Sequence, residues 1–218
     1  MDSDQGIYQL PLHARRIGLL GGTFDPIHYA HLVVAEEVRA SLQLDTIVFI
    51  PAGQPPHKME HASAAPEHRL AMLRLAIASN PYFTSSRIEL DRPGPSYLAD
   101  TLRILRTQWG QQVEIDFILG WDSLTELPNW YHPQDIVAAL SKLVAVGRPG
   151  HVEKVDITKR ELEARLPGIA QRLHVVPVPQ LAISSTELRH RVAVGKPIKY
   201  QVPEAVEQYI ADHNLYRS

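Results

Sequence analysis

Apolar and polar residues are grouped in blocks along the chain. Five runs rich in Val, Ile and Leu, each ending in Gly or Pro, lie at 16–22, 45–53, 114–120, 142–150 and 173–179. These runs lack strict alternation, so they predict strands buried on both faces, as in a parallel sheet. A shorter run, RIELD at 87–91, is interpreted as a further strand near an edge of the sheet.

Helical periodicity fills the intervals between these runs. Residues 30–42 place one apolar stripe at Leu32, Ala35, Val38 and Leu42. The segment 66–79 begins with proline, a favoured first-turn residue. Similar patterns occur at 96–109, 184–195 and 202–213. The alternation of strand and helix predicts an α/β fold with a doubly wound parallel sheet and a small C-terminal helical portion.

The length of 218 residues predicts a single domain, which we place at 16–218 with a helical subdomain at 184–218. Residues 1–15 precede the first strand and are interpreted as an extension, with disorder as one expectation. Residues 54–66 are rich in Pro, His and Ala, and we interpret them as a loop over the site.

Composition narrows the function classes. The formal net charge is −2, so bulk electrostatics do not favour nucleic acid or an anionic membrane as a partner. The chain has no cysteine, which excludes disulfides, thiolate zinc sites and thiol nucleophiles. No signal peptide and no apolar run of membrane-spanning length is visible. These features predict a cytoplasmic enzyme.

The candidate chemistry lies where the apolar runs end. GGTFDP, PAGQPPHK, GWDSL and GRPG each follow a run directly. In a doubly wound sheet, ligands bind at the carboxyl ends of the strands, near the point where the strand order reverses. We therefore expect these four motifs at one edge of the sheet.

The most informative motif is GGTFDPIHYAH at 21–31. Its Asp25-Pro26 turn predicts a helix that begins near Ile27 or His28, and a helix start offers free N–H groups to an anion. His28 and His31 share a helix face because they are three residues apart. The alternatives are a helix cap with incidental histidines, or a His-x-x-His metal site, although no nearby carboxylate or cysteine completes a ligand set.

A second helix start, ISSTELR at 183–189, offers the same chemistry. It presents hydroxyl and backbone donors at Ser184, Ser185 and Thr186, with Arg189 one turn later. Lys58, on a proline-stiffened loop, is expected at the same edge. Taken singly, the serines are explained as caps and the lysine as solvated surface. Taken with the first helix start, they suit a triphosphate.

These motifs, in this order, resemble the bacterial nicotinate-nucleotide adenylyltransferases, within the nucleotidyltransferase superfamily that shares a His-x-Gly-His signature. The resemblance runs from about residue 17 to the C-terminal VPEAVEQYIADHNLY. PPHK, PGPSY and Trp130-Tyr131 are the elements that indicate the nicotinate branch. Two positions depart from the family pattern: Ala30 replaces the signature glycine, and Leu98 stands where threonine is common.

The resemblance implies the reaction and its residues. The phosphate of nicotinate mononucleotide would attack the α-phosphorus of ATP, releasing pyrophosphate, with Mg²⁺ bridging the phosphates and few direct protein ligands. His28 and His31 would be catalytic. ATP would be bound by Gly22, Thr23, Phe24, Lys58, Gly120, Asp122, Ser184, Ser185, Thr186 and Arg189. The nicotinate nucleotide would contact Tyr97, Leu98, Trp130 and Tyr131, although ordinary half-buried packing also explains Trp130.

Several alternatives stay open at this point. The acceptor could be nicotinamide mononucleotide or phosphopantetheine. A fragment of a class I aminoacyl-tRNA synthetase shares the histidine signature, but its lysine-rich second motif is missing here. A non-catalytic nucleotide sensor would keep the fold without turnover. The sequence leaves open whether the chain is a homo-oligomer.

Overall fold

A computed structural model of the chain describes residues 14–55, 64–147 and 155–217. Within them, a six-stranded sheet has the order β3-β2-β1-β4-β5-β6, and every neighbouring pair is parallel. The strands are β1 (Arg16–Gly22), β2 (Thr46–Pro51), β3 (Phe83–Ser85), β4 (Glu114–Gly120), β5 (Lys142–Gly147) and β6 (Leu173–Pro177). The predicted doubly wound parallel sheet is confirmed.

Helices connect the strands on both faces of the sheet. They are α1 (Tyr29–Leu42), α2 (Pro66–Ile77), α3 (Leu98–Trp109), α4 (Trp121–Glu126), α5 (Pro133–Ala139), α6 (Val155–Arg165), α7 (Ile169–Arg172), α8 (Ser185–Ala193) and α9 (Glu204–Asp212). A single 3₁₀ turn, Leu127–Asn129, follows α4.

The prediction of a strand at 87–91 was wrong. The edge strand is β3, whose Phe83 and Ser85 pair with Ile47 and Phe49 of β2. Residues 87–91 form a turn instead, closed by a hydrogen bond of 2.9 Å from the Asp91 N–H to the Arg87 carbonyl. Here the local backbone bond competes successfully with sheet pairing.

Two apolar cores lie on opposite faces of the sheet. One contains the buried residues of α3, α4, α5, α6 and α7 with the alternate residues of β1, β4 and β5. The other contains the buried residues of α1, α2, α8 and α9. The strands are apolar on both faces for this reason, since each face is covered by helices.

The two C-terminal helices share the second core with the start of the chain. Leu188 of α8 and Val206 of α9 are fully buried in the same cluster as Phe24 and Ile27. The division of the chain at residue 184 stays a prediction. No helix among the described residues combines the length and the apolarity needed to cross a membrane.

The strand order reverses between β1 and β4. The chain moves outward from β1 through β2 to β3, then crosses back to β4 on the other side of β1. The loops that leave β1 and β4 therefore diverge, and the carboxyl ends of these two strands border a crevice. This crevice is where the residues of interest assemble.

Candidate active site

The turn between β1 and α1 places the two histidines of the first motif. His28 is the N-cap of α1, and its backbone N–H donates to Nδ1 of His31 at 3.3 Å. The two imidazole rings stack with centroids 3.7 Å apart and an angle of 22° between their planes. The expected helix start and the shared face are both present, and His28 lies one residue before the first helical residue.

Burial controls the charge of His28. Its side chain is almost wholly enclosed, and desolvation lowers its pKa to about 4. The ring is therefore neutral near pH 7, with one N–H donor and one acceptor nitrogen. Phe24, which has a positive φ of 49°, contacts the edge of the His31 ring at 5.2 Å between centroids.

Helix α8 docks its first turn against the β1–α1 turn. Ser184 is the N-cap of this helix, and its hydroxyl accepts a hydrogen bond from the Glu187 N–H at 3.2 Å. Ser185 donates its hydroxyl to the Pro26 carbonyl at 2.9 Å. Thr186 is exposed. The two helix starts named from the sequence therefore lie side by side.

Arg189 joins these two helix starts. Its Nη1 donates to the Asp25 carbonyl oxygen at 2.8 Å and lies 3.6 Å from Asp25 Oδ2. Its side chain keeps about a quarter of its surface exposed. A partly exposed guanidinium beside two helix starts is a set of donors that can attract phosphate, so we call the part of the crevice around the starts of α1 and α8 the phosphate corner.

Two buried charged residues of this corner were missed by the sequence reasoning. The sequence indicates only a turn at Asp25, yet its side chain is buried, with 2% of its surface exposed. Arg69 of α2 is equally buried and donates to the carbonyls of Thr23 and Ala52, each at 2.7 Å. A signal existed for Arg69, because it lies three residues before Met72 on the buried face of α2.

An aromatic cavity of about 530 Å³ opens next to the phosphate corner. Its walls include Gly22 and Thr23 of the first motif together with Tyr97, Leu98, Trp130 and Tyr131. The structure thus brings together the residues that the resemblance assigned to the nicotinate nucleotide and two of those assigned to ATP. A cavity of this size and mainly apolar lining is typical of a small-molecule site.

The aromatic rings of the cavity pack in pairs. Tyr97 and Tyr131 stack with centroids 4.3 Å apart and an angle of 23° between planes. Trp130 meets Phe117 of β4 edge-on at 6.4 Å. Tyr131 remains 47% exposed, so its ring is available at the cavity mouth.

A buried carboxyl group, Glu89, also lines the cavity, and the sequence reasoning missed it. The Thr101 hydroxyl donates to Glu89 Oε1 at 2.7 Å, and Arg92 donates to Thr101 Oγ1 at 3.1 Å. Burial raises the pKa of Glu89, while the Thr101 hydrogen bond and the Arg92 charge oppose that rise. This network fixes the backbone that leads into Tyr97 and α3.

Gly120 and Asp122 lie at the next strand end. The register pairs Leu20 with Ile118, so Gly22 and Gly120 end neighbouring strands at the same level. Both Gly120 and Asp122 are exposed at the start of α4, outside the walls of the aromatic cavity. Lys58 and residues 148–150 of the GRPG motif lie outside the described residues.

The described residues do not offer a resident metal site. No group of three or more His, Cys, Asp or Glu side chains among them is arranged to hold a metal ion. Oδ1 of Asp25, the acidic residue of the phosphate corner, already accepts from Ala64 N at 3.1 Å and from the Tyr216 hydroxyl. This donor set fits a metal that is carried by a bound triphosphate, with few protein ligands.

Comparison with known proteins identifies the family of the chain. Residues 19–191 match the family model described as cytidylyltransferase-like. The chain is 51% identical over 201 residues to a Roseiflexus sp. (strain RS-1) protein named "Probable nicotinate-nucleotide adenylyltransferase", covering 92% of this chain and 98% of that protein. A Thermomicrobium roseum protein of the same name is 46% identical over 203 residues, covering 93% of this chain and 92% of that protein.

A solved structure shows the same fold at lower identity. It is a Plasmodium falciparum nicotinic acid mononucleotide adenylyltransferase complexed with APC, with a TM-score of 0.72 and 20% identity. The likeness covers 93% of this chain and 97% of that one. A second structure of the parasite enzyme, with the same TM-score, identity and coverage, is complexed with NaAD.

Proposed function

The chain belongs to the nicotinate-nucleotide adenylyltransferase family, and we propose that its crevice joins the AMP part of ATP to nicotinate mononucleotide. The products are nicotinic acid adenine dinucleotide and pyrophosphate, a step of NAD biosynthesis. One observation carries the assignment of the site: the starts of α1 and α8 meet beside an aromatic cavity at the reversal of strand order.

The proposed reaction is a direct in-line displacement. A phosphate oxygen of nicotinate mononucleotide forms a bond to the α-phosphorus of ATP, and the bond from that phosphorus to the bridging oxygen of pyrophosphate breaks. The second pKa of a phosphate monoester is about 6, so the nucleophile is already largely ionised near pH 7. No general base and no covalent enzyme intermediate is needed, and catalysis comes from positioning and charge stabilisation.

We assign the phosphates of ATP to the corner formed by the two helix starts. His28 and His31 contact the reacting phosphates, and Arg189 with the start of α8 holds the outer phosphates. The close stacking of the two imidazoles and the Arg189–Asp25 contacts support this assignment, since they bring the donors to one corner. Lys58 is assigned to the outer phosphates from the resemblance alone.

We assign the remaining parts of the substrates to the flanking surfaces. The backbone of Gly22, Thr23 and Phe24 would line the reacting phosphates, and Gly120 with Asp122 would bind the adenosine. The pyridine ring would stack on Trp130 in the aromatic cavity, with Tyr97, Leu98 and Tyr131 around it. Their common presence in the cavity walls supports the pyridine assignment.

The magnesium ion enters this scheme as part of the substrate, MgATP. When bound, it neutralises charge on the triphosphate. The protein's own contribution is to orient the phosphates and to supply hydrogen-bond donors. A cytoplasmic location and the exclusion of nucleic acid as a partner stay predictions from the sequence.

An acceptor assay tests the proposal. Pyrophosphate release is measured with MgATP and, in turn, nicotinate mononucleotide, nicotinamide mononucleotide and phosphopantetheine. We expect turnover with the first and much slower release with the other two. Tight ATP binding without any pyrophosphate would identify a nucleotide sensor and contradict the proposal.

A matched pair of variants tests the cavity assignment. Trp130→Ala is expected to raise the KM for nicotinate mononucleotide by about fivefold to a hundredfold, because base–aromatic stacking contributes about 1–3 kcal/mol. Tyr82→Ala, which removes an exposed ring that packs under Arg39, serves as the control. An unchanged KM in Trp130→Ala would place the pyridine ring elsewhere.

A further inference from the structure

The last part of the chain forms several hydrogen bonds with the β1–α1 turn. We call residues 184–217 the C-terminal segment. Three of its side chains donate hydrogen bonds to the turn: Ser185 Oγ to the Pro26 carbonyl at 2.9 Å, Arg189 Nη1 to the Asp25 carbonyl at 2.8 Å, and the Tyr216 hydroxyl to Asp25 Oδ1 at 2.7 Å. In addition, the Gln201 carbonyl accepts a hydrogen bond from the Tyr29 N–H at 3.1 Å. Tyr216 is 191 residues from Asp25 along the chain.

The two oxygens of the Asp25 carboxylate have different surroundings. Oδ1 accepts from the Tyr216 hydroxyl at 2.7 Å and from the Ala64 N–H at 3.1 Å. Oδ2 accepts no hydrogen bond from the described residues, and it lies 3.6 Å from Nη1 of Arg189. That distance is longer than a formed hydrogen bond, so the Asp25–Arg189 side-chain pair is loose.

Tyr216 is well suited to hold this arrangement. Burial, with the neighbouring Asp25 charge, raises the pKa of its hydroxyl above the ordinary value. The hydroxyl therefore stays protonated and donates permanently. The nearby guanidinium of Arg69 is already engaged by the carbonyls of Thr23 and Ala52, so within the described part of the chain Arg189 is the cation that Asp25 can approach.

We propose that Tyr216 is a positioning residue for the phosphate corner: its hydroxyl holds the Asp25 carboxylate in place, so that Arg189 stays loosely paired and available to phosphate. This inference rests on the proposed assignment of ATP phosphates to that corner. Tyr216 acts through Asp25 and has no contact with the substrate in this scheme.

The physical argument concerns competition for Arg189. Without the Tyr216 hydroxyl, Oδ1 keeps one of its two donors and the buried carboxylate is left short of hydrogen bonds. The carboxylate then compensates by closing onto Arg189 as a full ion pair. Phosphate must afterwards break a partly buried, charge-assisted pair before it binds, which weakens ATP binding.

The first test compares Tyr216→Phe with the wild type by initial rates of pyrophosphate release. We expect the KM for ATP to rise about tenfold, the scale set by one hydrogen bond to a charged group, while the KM for nicotinate mononucleotide stays unchanged. Tyr209→Phe is the matched control. Tyr209 also belongs to the C-terminal segment, but its hydroxyl forms a hydrogen bond of 2.9 Å with His68 of α2 and not with Asp25. An unchanged KM for ATP in Tyr216→Phe would overturn the proposal.

The second test is the double variant Asp25→Asn/Tyr216→Phe. The neutral amide cannot form an ion pair with Arg189, so the double variant should recover most of the lost ATP affinity. A merely structural role predicts the opposite, with the double variant weaker than Tyr216→Phe, and that result would overturn the proposal. Should Tyr216→Phe fail to fold, Asp25→Asn alone decides: ATP binding as tight as wild type supports the proposal, and weaker binding overturns it.

Calorimetric binding of a non-hydrolysable ATP analogue with Mg²⁺ separates this inference from the proposed function. Binding needs no acceptor and no turnover. If the wild type forms no dinucleotide but Tyr216→Phe still binds the analogue about tenfold more weakly, the proposed reaction fails and the positioning role stands. If the wild type turns over and both proteins bind the analogue equally, the positioning role fails alone.

Discussion

At the scale of one residue, the buried ring of His28 must be neutral in the free protein and yet favour a proton when phosphate is bound. Its enclosure against His31 keeps it neutral near pH 7 and orders its ring for a ligand. A bound polyphosphate would favour the protonated ring, because an opposite charge at short distance stabilises the charged form. The free protein therefore keeps a neutral, buried imidazole at the position where phosphate is proposed to bind, and protonation of that imidazole in acid opposes folding.

We predict that this buried imidazole makes the protein less stable in mild acid. The folded pKa is about 4, below the ordinary value of 6.5, so the unfolded chain binds the extra proton first as the pH falls. The stability present above pH 6.5 is lost as the pH falls towards 4, by up to about 3 kcal/mol. Urea unfolding of wild type and His28→Asn at pH 7.5 and pH 4.5 measures this loss.

The comparison isolates His28 because both proteins share every other titrating group. We expect the wild type to lose more of its free energy of unfolding than His28→Asn over this pH interval. Equal losses in the two proteins would mean that His28 titrates normally in the folded state.

A second prediction at this scale concerns catalysis. His31→Ala should stay folded, because the His31 side chain is only partly buried, and should lower kcat by one to three orders of magnitude. The loss corresponds to one hydrogen-bond donor at the developing charge. Circular dichroism and pyrophosphate release measure fold and turnover.

The control for this variant is His174→Ala. His174 is exposed on β6, where its register partner Val144 lies well before the strand end that faces the crevice. Its removal should leave turnover near the wild-type rate. Full activity of His31→Ala would remove that imidazole from the mechanism.

At the scale of elements, the parts that follow from local pattern were predictable. The runs at 16–22 and 114–120 coincide with β1 and β4, and the stripe at 30–42 coincides with α1 apart from one residue. Helices α4, α5, α6 and α7 were not predicted, because α4, α5 and α7 are short and α6, although it has 11 residues, buries Leu162 alone and so lacks a long apolar stripe. These helices are stabilised by packing against the sheet and its neighbouring helices, and the local pattern of apolar residues does not reveal such packing.

The candidate site divides along the same line. Gly22 and Thr23 carry a local signal, since they stand where an apolar strand run ends. Trp130 and Tyr131 are indicated by the family resemblance instead, and all four line one cavity. Partners such as Asp25 and Tyr216 are joined across 191 positions, so no spacing rule connects them. Their pairing follows only from the packing of α8 and α9 back onto the start of the sheet.

An element-scale prediction concerns the loop that leaves β2. A Cβ added at Gly53 would lie 2.3 Å from the Glu89 carbonyl oxygen, a backbone atom that cannot swing away. Gly53→Ala should therefore push this loop from the segment carrying Glu89 and lower the free energy of unfolding by about 1–3 kcal/mol. Thermal and urea unfolding measure the loss.

Gly120→Ala is the matched substitution for stability. A Cβ at Gly120 has no heavy atom within 4 Å among the described residues, so its free energy of unfolding should change little. If both alanine variants unfold alike, the close approach at Gly53 does not restrain the loop.

At the scale of the whole molecule, the site joins parts that are remote in sequence. The phosphate corner combines the β1–α1 turn with α8, and the aromatic cavity draws on the ends of β1 and β2, on Phe117 within β4 and on the segments that carry Tyr97 and Trp130. A ligand that spans both therefore holds the C-terminal segment against the first strand. Such a ligand binds the folded chain and not the unfolded one, so it must stabilise the whole fold.

We predict that MgATP raises the thermal unfolding midpoint and that Mg²⁺ alone does not. Saturation at one hundred times the dissociation constant adds about 2.7 kcal/mol to the free energy of unfolding. The free metal should add nothing, because the described residues hold no cluster of three or more acidic, histidine or cysteine ligands. Thermal scans with EDTA, with MgCl₂, with ATP plus EDTA and with MgATP separate these cases. A midpoint raised by MgCl₂ alone would reveal a metal held by the protein itself, and the metal could no longer be treated as arriving with the triphosphate.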